Sequence, residues 1–219
     1  MNTVFTKAFD PPPIDKNEIL RYAGAKEALP QIEKLIDECI SESIDKLTYK
    51  VCYSHLPLSF SGDVIDLSFT RVKSDKLKKN LSGCNSFLLF AATVGIELDR
   101  LIFRYGRISP SKALIFQAIG AERIESLCNE FSHFAEKEFG YTAPRFSPGY
   151  GDLPLDIQRD FFRVLEPSRK IGLTLNESML MTPSKSVTAI IGISEEKRGN
   201  TNHNCSDCDK ENCNFRRKI

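Results

Sequence analysis

The chain has 219 residues, 41% of them hydrophobic and 27% charged, which supplies enough apolar side chain for one large core or two modest ones and argues against a disordered chain. Thirty basic residues against 29 acidic ones leave a formal charge of +1, so no global field points to nucleic acid or to an anionic membrane surface. No stretch of about 18 apolar residues occurs, so no membrane span is predicted, and the opening residues lack a secretory pattern; a cytoplasmic location is the expectation.

The first segment, through "DPPPID", reads as an extended arm, because consecutive prolines favour polyproline geometry and donate no ladder bonds. A helix is predicted to start near Asp15. A second, amphipathic helix starts at Pro30, with Ile32, Leu35, Ile36, Cys39 and Ile40 at helical spacing and charged residues between them. "LTYKVCYSHLPLSF" and "DVIDLSFTRV" flank the turn signal "SGD" and read as a pair of antiparallel strands. "SDKLKKNLSG" is a short helix capped by Ser74 and ending near Gly83, and "NSFLLFAATVG" is a central buried strand.

"IELDRLIFRYG" and the long run from Ser109 or Ser111 to Gly140 follow as helices. The second buries a broad face made of Leu114, Ile115, Ala118, Ile119, Ile124, Leu127, Cys128, Phe131 and Phe134. "LPLDIQRDFFRVLEP" is again helical, and "KIGLTLNESMLMTPSKSVTAIIGIS" reads as strand, turn and strand. Helices interleaved with antiparallel strands, without a repeating βαβ series, define an α+β class. Residues 1–195 form the domain and 196–219 a cysteine-bearing tail.

"PRFSPGYGDLPLDIQRDFF", Pro144 to Phe162, opens as a loop with neither helical nor strand period directly after the longest helix. Irregular backbone of this kind stays at the surface, where binding residues concentrate. Arg145 offers a planar fork for a carboxylate, Pro148 stiffens the turn, Gly149 and Gly151 permit close backbone approach, and Tyr150 adds an aromatic face with a hydroxyl. The set suits a zwitterionic ligand with a flat heterocycle. The plainer alternative is a structural loop whose arginine pairs with a nearby carboxylate and whose tyrosine packs on the core.

"RFSPGY", Arg145 to Tyr150, resembles the Arg-x-x-x-Gly-Tyr signature of the activation domain of cobalamin-dependent methionine synthase. The block about twenty residues later resembles that family's next one, with Gly172, Glu177, Ser178, Met181, Pro183, Ser186 and Val187 at the matching places. The resemblance implies a twisted antiparallel sheet with flanking helices, S-adenosylmethionine as ligand, and reductive methylation of cob(II)alamin. It assigns the methionyl carboxylate to Arg145, backbone approach to Gly149, and the adenosyl or methyl end, facing the corrin, to Tyr150. Glu177 and Ser178 follow as site or sheet-shaping residues. No Asp-x-His-x-x-Gly surrounds His55, His133 or His203, so the implied cobalamin arrives on a separate corrinoid protein, a methionine synthase or a related corrinoid methyltransferase. The rival reading is a non-catalytic module that binds the corrinoid protein or senses S-adenosylmethionine.

Seven cysteines in a chain without an export signal should be mostly reduced thiols. Cys39, Cys52, Cys84 and Cys128 sit among apolar neighbours and read as small buried hydrophobes. Cys205, Cys208 and Cys213 form C-x2-C-x4-C, a spacing with which thiolates reach one metal, with His203 or Cys84 as a fourth ligand. Zinc would make the tail a clasp, an iron–sulfur cluster would make it a one-electron carrier, and a loose tail of reactive thiols is the remaining alternative. Arg216, Arg217 and Lys218 would suit an acidic electron donor such as flavodoxin or ferredoxin, or simply a solvated basic end. His55 and His133 have no partner pattern and are expected to be packed or surface histidines.

Overall fold

Short polar side chains that take over backbone amides start two of the helices in this protein, seen in a computed structural model that describes residues 3–25 and 29–196. After strand β1 (Phe5–Ala8), Asp15 accepts from the Asn17 and Glu18 amides and starts helix α1 (Lys16–Tyr22). Pro30 opens α2 (Pro30–Ser43), which leads to β2 (Lys50–Pro57). Three short strands follow, β3 (Ser59–Ser61), β4 (Val64–Asp66) and β5 (Arg71–Lys73). Ser74 then caps α3 (Asp75–Asn80) by accepting from the Leu77 amide at 3.0 Å.

Strand β6 (Ser86–Thr93) precedes α4 (Glu97–Ile108) and the 30-residue α5 (Pro110–Phe139). Gly140, at φ 103°, ends that helix in a conformation favouring glycine. The rest of the described chain contains β7 (Tyr141–Thr142), α6 (Gln158–Leu165), α7 (Pro167–Ile171), β8 (Thr174–Leu175), β9 (Met181–Thr182) and β10 (Ser186–Ser194).

The main sheet is antiparallel with strand order β1-β2-β6-β10-β7, twisted and flanked by helices, in agreement with the α+β expectation. β6 sits at its centre, paired on one side with β2 and on the other with β10. Its side chains alternate between two cores. Leu88, Phe90 and Ala92 face α1, α2, α4 and α5, while Phe87, Leu89 and Ala91 face α3, α6, α7 and the small β3-β4-β5 sheet. Strand period two thus divides one apolar run between two layers.

Three expectations are corrected. The "SGD" turn closes only the short β3–β4 hairpin, while the long strand before it, β2, pairs with β1 and β6. Its Val51 and Cys52 are both fully buried, one in each of the two cores, so it is an interior strand of the main sheet. The segment expected as strand, turn and strand becomes a small β8–β9 ribbon followed by the separate long β10. Leu114, placed by periodicity on the buried face of α5, is 51% exposed: it stands about 100° round the helix from the buried Ile115, at the margin of that face.

The proline arm contains β1 and is then gripped by a fully buried arginine. Arg123 of α5 donates to the Pro12 and Pro13 carbonyls, both at 2.6 Å, and to both carboxylate oxygens of Glu122. Glu122 in turn accepts from the Asp15 amide and the Ser126 hydroxyl. Four oxygens around one guanidinium offset the large cost of burying a charge.

Candidate functional site

Pro144 to Leu153 leaves β7 at the sheet edge and is held at three places. Phe146 exchanges both backbone hydrogen bonds with Ile190 of β10, each at 2.9 Å, so the loop begins as a one-residue continuation of the sheet. The Asn80 amide group, at the end of α3, donates to the Pro144 carbonyl at 3.1 Å. Asp152 docks on the other end of α3, accepting from the Ser74 hydroxyl, the Asp75 amide at 2.7 Å and the Lys76 amide. A carboxylate at a helix N-terminus meets both unsatisfied amides and the positive end of the dipole. The Ser74 hydrogen bond first, with the two amides behind it, holds the Asp152 carboxyl below the usual range.

Between these supports the backbone turns sharply. Gly149 and Gly151 have φ of 79° and 63°, the Gly149 amide donates to the Leu153 carbonyl, and the Tyr150 amide donates to Ser147. A Cβ on Gly151 would lie 2.6 Å from the Lys76 side chain, which crosses it. Tyr150 at the tip is 64% exposed, and its ring meets the buried Phe146 ring edge-on at 5.3 Å. The tyrosine is therefore supported from below and open above. Pro148 is partly exposed within the same turn.

Arg145 points the other way from Phe146, as neighbours in extended chain do, and meets α5. Its Nη2 donates to Glu125 at 2.9 Å, and its Nη1 donates to Asn129 at 2.8 Å and to the Ser132 hydroxyl at 3.3 Å. Residues 125, 129 and 132 form one stripe of the helix. The Arg145 side chain is 23% exposed and that of Glu125 46%, so the pair is anchored yet reachable from solvent. Tyr22 of α1 stands within the field of Glu125: burial first, then that charge, pushes its phenol pKa up.

Glu177 and Ser178 lie exposed at the tip of the β8–β9 ribbon. The turn is braced by α6, with Arg159 donating to the Glu177 carbonyl at 2.9 Å and Gln158 to the Met179 carbonyl. Neither side chain, Glu177 or Ser178, makes a hydrogen bond or ion pair with the 144–153 loop among the described residues. The structure thus joins Arg145, Pro148, Gly149 and Tyr150 in one loop and leaves Glu177 and Ser178 on a separate support. Sequence reasoning missed Glu125, Asn129 and Ser132; their spacing of four and three was visible, but nothing in it announced a partner twenty residues on.

Cys205, Cys208, Cys213 and His203, with Arg216, Arg217 and Lys218, lie outside the described residues. Cys84, the other suggested fourth ligand, is buried in the second core, and Gly192 faces its sulfur closely. Among the described residues no group of three or more His, Cys, Asp and Glu is placed to hold a metal ion, and no helix is long and apolar enough to cross a membrane. His55 donates to or accepts from Ser86 at 2.8 Å and packs against Phe139; burial lowers its pKa.

Two comparisons bear on the site. The family model described as vitamin B12 dependent methionine synthase, activation domain, matches residues 70–218. The fold is similar to the crystal structure of the MetH reactivation domain bound to AdoHcy, with a TM-score of 0.62 and 16% sequence identity over 90% of this chain and 80% of that one. At that identity the second likeness is one of fold.

Proposed function

Since the chain belongs to the family of vitamin B12-dependent methionine synthase activation domains, we propose that it binds S-adenosylmethionine through the Arg145 to Tyr150 loop and supports reductive methylation of cob(II)alamin, with one electron from a separate protein donor, on a separate corrinoid protein, a methionine synthase or related methyltransferase. One observation carries the binding half of this reading. A solvent-reachable guanidinium and an exposed tyrosine ring belong to one loop whose glycines make its positive-φ turns and whose anchors hold it at three points.

These residues fit the ligand. Arg145 presents a cation for the methionyl carboxylate, Gly149 keeps the backbone bare, and Tyr150 offers a flat face braced by Phe146. When bound, S-adenosylmethionine supplies a methyl group on a good leaving group, and the chemistry belongs to it and to the corrinoid. The protein's part is position: the loop fixes the ligand at the surface, where a second protein can reach it, and closeness and orientation lower the barrier. That the structural neighbour was solved with AdoHcy, the demethylated counterpart of the ligand, supports the choice of ligand.

Calorimetric titration with S-adenosylmethionine tests the reading. Arg145→Ala should weaken binding by about 1.5–3 kcal/mol, the range for a hydrogen bond to a charged group. An unchanged dissociation constant would remove Arg145 from the site.

A further inference from the structure

Arg145 does not wait alone for a ligand. Its two terminal nitrogens already meet Glu125, Asn129 and Ser132. A carboxylate approaching the guanidinium therefore also approaches Glu125, 2.9 Å from Nη2, and two negative groups compete for one cation. A ligand carrying only a carboxylate meets attraction and repulsion together. An α-amino acid differs, because its ammonium group sits on the carbon next to the carboxylate and is carried in with it.

We infer that Glu125 receives the α-ammonium group of the ligand while Arg145 receives its carboxylate, so that the Arg145–Glu125 pair recognises the amino acid end as a zwitterion. Two opposite dipolar pairs then lie side by side, and each charge has opposite charges as its nearest neighbours. Ion pairing of this kind rewards a matching charge pattern and penalises the unmatched one, which is selectivity more than strength. The internal pair need not break. Both side chains are partly exposed, and Asn129 and Ser132 keep the arginine in place while the outer side of the pair meets the ligand.

The inference rests on the loop reading above, and the experiment separates the two. The full chain and its Glu125→Gln variant are titrated with S-adenosylmethionine and with an analogue whose amino group is replaced by hydrogen. Glu125→Gln should weaken S-adenosylmethionine binding roughly tenfold, the unmodified chain should disfavour the analogue by a similar factor, and the variant should bind the two alike. The analogue measurement on the unmodified chain stands even if the variant folds poorly. Equal or tighter S-adenosylmethionine binding by a folded Glu125→Gln protein makes Glu125 a competitor and overturns this inference alone, as does an unmodified chain that binds both ligands equally. An unmodified chain that binds neither overturns the loop reading, and this inference falls with it.

Discussion

A thiol ionises only where its thiolate can be solvated, and Cys39, Cys52 and Cys128 have no such surroundings. All three are fully buried, and burial pushes their thiols up to about 11, 12 and 12. Alkylation with iodoacetamide at pH 8, mapped by mass spectrometry, should leave them unmodified in the native protein and label them in denaturant. Native labelling of any of the three would contradict their placement. Apolar neighbours in the sequence were sufficient to foresee this. Arg123 is the opposite case: nothing in the sequence singled it out, and it is fully buried. What buries it is the Pro12–Pro13 arm more than a hundred residues earlier, so no local pattern records it.

The loop from Pro144 to Leu153 depends on helix α3 as much as on its own turn residues. Asp152 has a depressed pKa in the folded protein, so its contribution to docking is present above the ordinary aspartate value of about 3.9 and is lost as pH falls through the lower folded value. Hydrogen exchange at the Asp75 and Lys76 amides should therefore accelerate on acidification below about pH 4, beyond the intrinsic trend. Asp152→Ala should give severalfold faster exchange at those amides already at neutral pH, together with weaker S-adenosylmethionine binding. Unaltered protection would mean that Phe146 and Asn80 suffice to seat the loop. The elements themselves were largely legible, because Asp15, Ser74, Pro30 and Gly140 act within a turn of the boundary they set. The docking of Asp152 was not, since its partners lie 76 to 78 residues away and an aspartate after glycine reads simply as a turn.

At the scale of the whole molecule, one sheet serves two cores. Phe90 fills one and its neighbour Leu89 the other, and both are fully buried. Phe90→Ala should destabilise the protein by about 3–5 kcal/mol. Because the two layers share β2, β6 and β10, urea unfolding of the variant should remain a single transition reported alike by probes on either side. Two separated transitions would show that the layers fold independently. The central position of β6 could be read from its unbroken apolar run, whereas the pairing of β2 could not: the sequence offers β2 a near neighbour across a turn, while its partners β1 and β6 lie tens of residues away on either side.

The bridge between Phe146 and Ile190 ties the loop to the register of β10, and this bears on where the chain can change length. One residue inserted in β10 between Ser186 and Ile190 would send alternate side chains to the wrong layer and carry the loop's anchor with them. Extra residues in the exposed turn at Glu177 and Ser178 would only enlarge the tip of the β8–β9 ribbon. Natural and engineered insertions should accordingly gather at that tip and spare the strand beside it.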